Sequence, residues 1–515
     1  MVSYSEVRQN TYFDSVTLML FSSKLSGVAG VHEAAVMMGT DHNKSLMRGS
    51  GLLTEEAAKE ITPNDLVIGI AADTQEAVEE AKALLAEQFE NKKKPAGGGD
   101  GHLRAKTIES ALDKLPDANF AVVSLPGRYA KSQTMKLMRQ GLHVLLFSDN
   151  VTIEEENQLK DYALEHGLLM MGPDCGTAII NGVSLGFANV LRRGDIGLVA
   201  AAGTGLQEVT CVIDALGGGI SQALGTGGRD VKEAVGGKMM LSCIDALDQD
   251  PGTKVIGIIS KPPARAVMEK ILERLEKVEK PVVACFLGAE ELPDIPGVSA
   301  AATLEDAGRM LVALSQGKEL AAGGALTEDQ ARQLDEAVKG LAPEQKYVRG
   351  LYSGGTLCYE GQLLLQKSGF EIYSNIATQE AFALKDVEKS FQNTLLDMGD
   401  DYFTDGIPHP MIDFRLRSER LRAEARDPET AVILLDCVLG YGSNEDPAGA
   451  LAEAVAQSRK ENEGRQVVFI ASVCGTPADP QNRVEQEKKL REAGILVLPT
   501  NAQAVRAAAA VLKNR

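Results

Sequence analysis

The sequence lacks several patterns that would assign a function directly. Its seven cysteines never occur as Cys-x-x-Cys, so neither a zinc knuckle nor a disulfide framework is expected. It contains no Gly-x-x-x-x-Gly-Lys-Ser/Thr pattern, which excludes an ATP-binding P-loop. No apolar run is long enough to cross a membrane, and no basic segment leads into an apolar core near residue 1. These absences predict a cytoplasmic protein with no membrane partner.

Positive charge is also scarce. The chain has 515 residues and a net charge of -19, which disfavours nucleic acid and anionic membranes as partners. Any small anionic ligand must therefore be held locally, by helix N-termini and a few Lys or Arg side chains. At roughly 100–200 residues per domain, the length predicts about three or four domains.

A glycine turn after a strand is the first candidate site. Residues 196–208 form an apolar stretch of strand length that ends in Gly203-Thr204-Gly205 and opens a helical pattern. Such a turn directs backbone N–H groups and a helix N-terminus at one point, where an anion is stabilised.

The same arrangement recurs twice further along the chain. The strand-like run 220–224 leads into residues 225–230, and the run 255–259 leads into Ser260 and Lys261. In a parallel sheet these turns share the carboxyl edge, where open α/β sheets bind ligands. Ordinary tight βα turns are the alternative. The residues expected to line one cleft are Gly203, Thr204, Gly205, Gly227, Gly228, Arg229 and Lys261.

The C-terminal part repeats the theme. A strand at 347–352 enters Ser353-Gly354-Gly355-Thr356, and further strands enter turns at 440–443 and 474–476. We therefore expect a second open α/β sheet, with Gly354, Gly355 and Thr356 binding phosphate or substrate. The two anion-binding edges are expected to face each other across a shared ligand.

An acidic stretch lies between these strands. It runs from Asp397 to Asp413 and contains His409 between two prolines. Carboxylates and a histidine in this pattern bind a divalent cation or move a proton, and a solvated acidic loop is the alternative. We take His409 as the acid/base candidate, and the metal, if any, stays unknown.

Composition changes divide the chain into four predicted domains. Polar, glycine-rich linkers at 91–101 and 316–324 separate stretches in which strands and helices alternate. The predicted domains are a small N-terminal α/β domain (1–90) and three doubly wound parallel-sheet domains (105–193, 194–315 and 345–515).

Several of these motifs resemble a known family. Residues 172–176, Gly-Pro-Asp-Cys-Gly, are similar to the Gly-Pro-Asn-Cys signature of the succinyl-CoA synthetase α subunit. Residues 196–208 and 225–230 resemble its phosphate-facing strand and its Gly-x-Gly-Gly-Asp turn. Residues 346–515 resemble the C-terminal domain of the β subunit. The whole chain resembles the FdrA family of predicted acyl-CoA synthetases, in which these parts are fused.

The resemblance implies a fold and a set of ligands. The fold is a Rossmann-like CoA-binding domain followed by two flavodoxin-like succinyl-CoA synthetase domains, the second a CoA-ligase domain. Asp174 and Cys175 then lie near CoA, whereas the residues alone favour a buried or merely lining Cys175 over a reactive thiol. CoA is the one cofactor that the resemblance suggests; otherwise the cofactor is unknown.

Three departures from the ligase pattern narrow the expected chemistry. Residues 288–314, where a phosphorylated histidine would occur, contain no histidine, and Lys261 falls where a glutamate would steady it. The ATP-grasp domain is missing. What survives is the acyl-phosphate end of the reaction, in which Lys261 and Arg229 neutralise charge on the leaving oxygen.

Three functions remain open on this basis. The first is a subunit of an acyl- or carbamoyl-phosphate transferase, because FdrA-type proteins are associated with oxamate carbamoyltransferase activity and with partner subunits. The second is an acyl-CoA synthetase subunit whose ATP-grasp partner is encoded separately. The third is a non-catalytic scaffold that senses CoA or a metabolite. Separate partner subunits and a homo-oligomer are expected, with carbamoyl phosphate, an acyl phosphate or an acyl-CoA as substrate.

Overall fold

A computed structural model describes the chain in two compact units, Met1–Arg104 and Ala105–Arg515. The residues described are 2–9, 11, 15–53, 59, 61–63, 65–93, 105–289, 291–318, 326–404, 407–462 and 465–513. Within them, no helix is long and apolar enough to cross a membrane.

The N-terminal unit is a small α/β structure with an antiparallel sheet. Strand Leu66–Ala72 lies in the middle and pairs with Val2–Arg8 on one side and Val31–Met38 on the other. All seven residues of the middle strand are buried. The helices are Ser15–Ser26, Asp41–Gly49 and Gln75–Lys93.

The second unit begins with a three-stranded parallel sheet. Its strands follow one another in space as in sequence, and helices connect them. Helix Ile153–Glu165 starts with a capping box in which Thr152 and Glu155 bond each other's backbone amides. The strands are Phe120–Val123, His143–Leu146 and Met170–Met171, and the helices are Ile108–Lys114, Gly127–Met138 and Ile153–Glu165.

A seven-stranded sheet follows. Strand Arg193–Ala200 lies between Ile220–Gly225 and Val255–Ser260 and is parallel to both. The carboxyl ends of these three strands therefore share one edge, as expected. The sheet also takes in an antiparallel hairpin that precedes residue 194. The other strands are Thr177–Ile180, Val183–Gly186, Val282–Phe286 and Val298–Ala300, and the helices are Gly203–Ala215, Lys238–Gln249, Arg265–Leu275 and Leu304–Ser315.

The C-terminal part contains a five-stranded parallel sheet. Strand Thr430–Val438 is buried along its whole length, because helices cover both faces of the sheet. The other strands are Tyr347–Tyr352, Thr394–Asp397, Val468–Cys474 and Leu496–Leu498. The helices are Glu328–Val338, Gly355–Lys367, Asp401–Thr404, Arg415–Arg426, Pro447–Glu461, Arg483–Glu492 and Asn501–Lys513, with a 3₁₀ turn at Glu380–Phe382.

One hydrophobic cluster runs through both large sheets. It includes Leu206 and Val209 from the first helix of one sheet and Leu357 and Leu365 from the first helix of the other. The two sheets therefore share a core, and their facing edges have a fixed relation within this unit. The predicted fold class, α/β with several parallel-sheet domains, is confirmed. The finer division at 105–193, 194–315 and 345–515 stays a prediction.

Candidate functional site

Two glycine turns, one from each large sheet, are in direct contact. A Cβ atom on Gly205 would lie 2.8 Å from Thr356 Cγ2, and one on Gly354 would lie 2.9 Å from Thr204 Cγ2. Real Cβ atoms do not approach other atoms so closely, so this packing requires glycine at both positions. We call residues 203–205 and 354–356 the opposed turns.

The helices that start in the opposed turns present open backbone amides. Neither Gly203–Ala215 nor Gly355–Lys367 has a side-chain cap. Within the described part of the chain, the amides of the first three residues of each helix have no hydrogen-bond partner. Unpaired N–H groups and the positive ends of two helix dipoles therefore meet at one place, which is suited to an anion.

Reciprocal hydrogen bonds tie each of these two helices to the final helix of the opposite sheet. Glu208, the sixth residue of one helix, accepts a bond of 2.9 Å from the amide of Asn501. Glu360, the sixth residue of the other, accepts a bond of 2.8 Å from the amide of Leu304. Each glutamate thus caps the final helix that packs on the opposite sheet. Burial raises the pKa of both carboxyl groups, that of Glu360 to about 7.

Lys261 reaches from one sheet to Tyr359, the fifth residue of helix Gly355–Lys367 on the other sheet. Its Nζ lies 4.9 Å from the centroid of the Tyr359 ring, and no carboxylate of the described residues lies within ion-pair distance. Burial lowers the pKa of Lys261, while the charge of Asp397 opposes that shift. A half-buried ammonium without an ion-pair partner is suited to neutralising a bound anion.

The acidic stretch does not form one solvated loop. Asp397 ends the buried strand Thr394–Asp397 and is only 8% exposed. Burial raises its pKa to about 7, and Asp400 and Asp436 act in the same direction. Asp413 instead bonds Arg415, and Asp405 lies outside the described residues. Among the residues that the structure describes, no group of three His, Cys, Asp or Glu side chains is placed to hold a metal ion.

A buried ion pair modifies the expected role of Gly354. Asp436 accepts hydrogen bonds from the amides of Ser353 and Gly354, the latter at 2.8 Å. Arg417 pairs with Asp436 at 2.5 Å, and both side chains are fully buried. Because its amide is already bonded, Gly354 is not a free anion donor as the sequence suggested. It serves by its close contact with Thr204, and the open amides begin at Gly355.

His409 lies beside the second turn. A Cβ atom on Gly399 would lie 2.6 Å from His409 Nε2 and 2.9 Å from the carbonyl oxygen of Ser353. Nδ1 accepts a hydrogen bond from the amide of Met411, which places the ring proton on Nε2. Burial lowers the pKa of His409 to about 4, so at neutral pH it is an uncharged imidazole. Its acid/base role stays a prediction.

The remaining sequence candidates lie at or around residues 225–230, which we call the third turn. Gly227 has φ +82° and packs on the Gly172-Pro173 segment, since a Cβ atom would lie 2.4 Å from the carbonyl oxygen of Pro173. Gly228 lies near the start of the first opposed turn, 3.7 Å from the Ala201 carbonyl by the same measure. These glycines adjoin the opposed turns, and phosphate binding by them is still a prediction.

Arg229 does not present a free guanidinium. It forms an ion pair with Glu156 at 3.0 Å and donates a hydrogen bond of 2.8 Å to the carbonyl oxygen of Val151. Its side chain is 38% exposed. Glu156 in turn pairs with the fully buried Lys160, which also bonds Asp230. This network fixes the third turn, so the charge of Arg229 is largely balanced by Glu156. Its predicted catalytic role is untested by these contacts.

Asp174 and Cys175 differ sharply in environment. Cys175 is 2% exposed and packs on Gly225, and burial raises the pKa of its thiol to about 12. Asp174 stays open to solvent on one side, yet the protein around it removes enough water to raise its pKa to about 6. Asp149 and Asp401 add to that shift. Cys175 is therefore a buried, protonated thiol. The proximity of Asp174 and Cys175 to CoA stays a prediction.

Two other glycine turns of the C-terminal sheet are interface elements. Gly440 packs on Ala188, since a Cβ atom would lie 2.6 Å from the Ala188 carbonyl oxygen. Thr476 donates a bond of 2.7 Å to the carbonyl oxygen of Val190, and its amide bonds Asp479. These turns therefore hold the two sheets together.

Sequence reasoning missed the buried charges that shape the site. Asp436 and Arg417 are fully buried, and Glu208 and Glu360 are nearly so. One available signal was a charged residue inside an otherwise apolar strand, as Asp436 is in Leu434-Leu435-Asp436-Cys437-Val438. The pairing of these residues depends on contacts far apart in sequence.

Comparison with known families agrees with the two-unit division of the structure. The family described as CoA-ligase matches residues 351–511. The family described as AllF, heavy metal-associated domain, matches residues 1–105. That stretch contains no cysteine, and its described residues include no cluster that could hold a metal. The described residues of this stretch therefore do not fit a heavy-metal site.

Individual relatives extend the similarity over the chain. The uncharacterized protein YahF of Escherichia coli (strain K12) is 44% identical over 494 residues, covering 95% of each chain. The alpha subunit of succinate–CoA ligase [ADP-forming] of Methanothermobacter thermautotrophicus is 25% identical over 48% of this chain and 83% of its own. The structure of a dinucleotide-forming acetyl-coenzyme A synthetase of Ca. Korarchaeum cryptofilum matches over 76% of this chain and 82% of the synthetase chain at 16% identity. Its TM-score is 0.32, too low to support any conclusion about function. The chain belongs to the family of YahF, within the succinyl-CoA/acyl-CoA synthetase-like superfamily.

Proposed function

We propose that this protein binds the phosphoryl group of a carbamoyl or acyl phosphate at the opposed turns and works as one subunit of a transferase of the FdrA type. The observation that carries the proposal is the meeting of two uncapped helix N-termini beside Lys261. An anion there receives hydrogen bonds from both sheets and a compensating positive charge.

The reaction that suits this site is displacement of phosphate from a mixed anhydride. An acceptor attacks the carbonyl carbon, the bond from that carbon to the bridging oxygen breaks, and phosphate leaves with the electron pair. Negative charge grows on the leaving oxygen, where the helix N-termini and Lys261 stabilise it. No histidine occurs in residues 288–314, so we propose no phosphohistidine intermediate.

The second candidate is an acyl-CoA ligase subunit that works with a separate ATP-grasp protein. The CoA-ligase match over 351–511 and the succinate–CoA ligase relative favour it. CoA would be held near the Gly172–Cys175 segment and would supply the thiol that accepts the acyl group. Asp149 and Asp401 place negative charge near Asp174, which Arg229 partly offsets, so a CoA diphosphate bound at this segment would meet repulsion from these carboxylates.

Thermal unfolding with single ligands separates the candidates. The chain is heated with phosphate, carbamoyl phosphate, CoA or ATP, offered one at a time. A ligand that binds the folded state raises the free energy of unfolding by about 2.7 kcal/mol when its concentration is about 100 times its dissociation constant. Stabilisation by carbamoyl phosphate and phosphate, lost in Lys261→Met, supports the transferase. Stabilisation by CoA alone contradicts it and supports the ligase. Stabilisation by none of the four contradicts a phosphate site in the isolated chain.

A further inference from the structure

The carboxyl group of Asp397 lies where an anion would approach the second helix. A Cβ atom on Gly355 would lie 2.3 Å from Asp397 Oδ2, so this oxygen covers the first residue of helix Gly355–Lys367. Oδ1 accepts a hydrogen bond of 3.0 Å from the amide of Gly399. Oδ2 accepts none from any residue that the structure describes, although Asp397 is only 8% exposed.

The groups around Asp397 do not balance a second negative charge. Lys261 is close enough for its positive charge to act on Asp397, whereas Asp400 and Asp436 act on it with negative charge. The thiol of Cys358 interacts electrostatically with both Asp397 and Lys261. Asp436 is already paired with Arg417. An anion bound beside an ionised Asp397 would therefore place two like charges in a buried site with one free cation among these groups.

We propose that Asp397 takes up a proton when an anion binds at the opposed turns, so that the site binds its ligand together with one proton. The proton comes from the solvent, and the resulting carboxyl group donates a hydrogen bond from Oδ2 to an oxygen of the anion. The inference rests on the proposed function, because it places the anion at the opposed turns.

This arrangement determines which anions bind well. A phosphate that still carries a proton brings the donor with it, whereas sulfate, which has none near neutral pH, depends on Asp397 for that proton. Burial raises the pKa of Asp397 to about 7 in the empty site, so both forms of the carboxyl group occur near neutral pH. Above that pH the carboxylate is charged and repels an anion, and below it the neutral form admits one.

Isothermal titration of the full chain with sulfate tests the inference, since sulfate itself does not titrate in this range. With a pKa of about 7, sulfate affinity is expected to fall about tenfold from about pH 6 to about pH 8. Repeating the titration in two buffers of different ionisation enthalpy should show uptake of nearly one proton per sulfate at the higher pH. Inorganic phosphate, measured alongside, reports the anion site itself.

Matched variants identify the group that titrates. Asp397→Asn should remove both the pH dependence and the proton uptake, whereas Lys261→Arg, which keeps the charge, should retain both. If Asp397→Asn does not fold, the two-buffer result on the unaltered chain still decides. Sulfate binding without pH dependence or proton uptake would overturn the inference and leave the anion site standing. Binding of neither sulfate nor phosphate would overturn the proposed function and the inference with it.

Discussion

Replacing Gly354 by alanine perturbs the contact between the opposed turns, because the three atoms nearest to the new Cβ atom all belong to Thr204. Gly354 has φ -107°, which any residue adopts, so the change adds no backbone strain. Its new Cβ atom would lie 2.9 Å from Cγ2 and 3.0 Å from Cβ of Thr204. Overpacking of this kind costs about 1–3 kcal/mol. The thermal unfolding midpoint should therefore fall. The shift per kcal/mol is expected to lie at or below the about 2–4 °C of domains of about 150–250 residues, because the unit Ala105–Arg515 is larger.

The partner variant makes this prediction specific. Thr204→Gly removes all three atoms that the alanine would meet, at a cost of about 1 kcal/mol for glycine in a helix. The double variant should therefore be more stable than the two single losses imply, with a coupling energy of about 0.5–3 kcal/mol. Gly252→Ala is the control, because its Cβ atom would lie 3.4 Å from the nearest atom. Purely additive losses would refute the contact between the turns.

Further predictions concern charge and thiol chemistry. Lys261→Met should weaken phosphate binding about tenfold or more, since hydrogen bonds to a charged group contribute about 1.5–3 kcal/mol. Arg265→Met, at an exposed helix position, should not weaken it. Equal effects of the two variants would contradict the role of Lys261. Because burial lowers the pKa of His409 to about 4, its imidazole NMR signals should stay in the neutral form down to about pH 5, and titration near the ordinary value of about 6.5 would contradict this. All seven cysteines are buried, so the folded chain should not react with a thiol reagent at about pH 8, whereas the unfolded chain should react fully. Fast reaction of the folded chain would contradict that burial.

Local patterns in the sequence were sufficient for the strands that lead into the glycine turns, whereas short strands such as Val183–Gly186 and Thr394–Asp397 were not predicted. The apolar run before Gly203 and the one before Ser353 are strands, and each leads into a helix as predicted. These signals survive because strand length, glycine turns and helix starts depend on neighbouring residues. The parallel order of the strands then followed from short right-handed connections.

Which turns bind an anion could not be predicted locally. The turn at Gly440 is glycine-rich like the opposed turns, yet it packs on Ala188, a residue about 250 positions earlier in the chain. Likewise, nothing next to Gly354 shows that Asp436 bonds its amide. Pairing of this kind is decided by tertiary contacts, so sequence reasoning could not distinguish these turns and missed the buried carboxylates.

In the proposed function, one phosphoryl group is held by two sheets at once. A crystal structure of the chain with carbamoyl phosphate, or with phosphate as its product, tests it most directly. We predict density within hydrogen-bonding distance of the amides at the start of helix Gly203–Ala215 and of helix Gly355–Lys367, next to Lys261 Nζ. Density bound elsewhere, or the two helix starts separated with no ligand between them, would contradict the account.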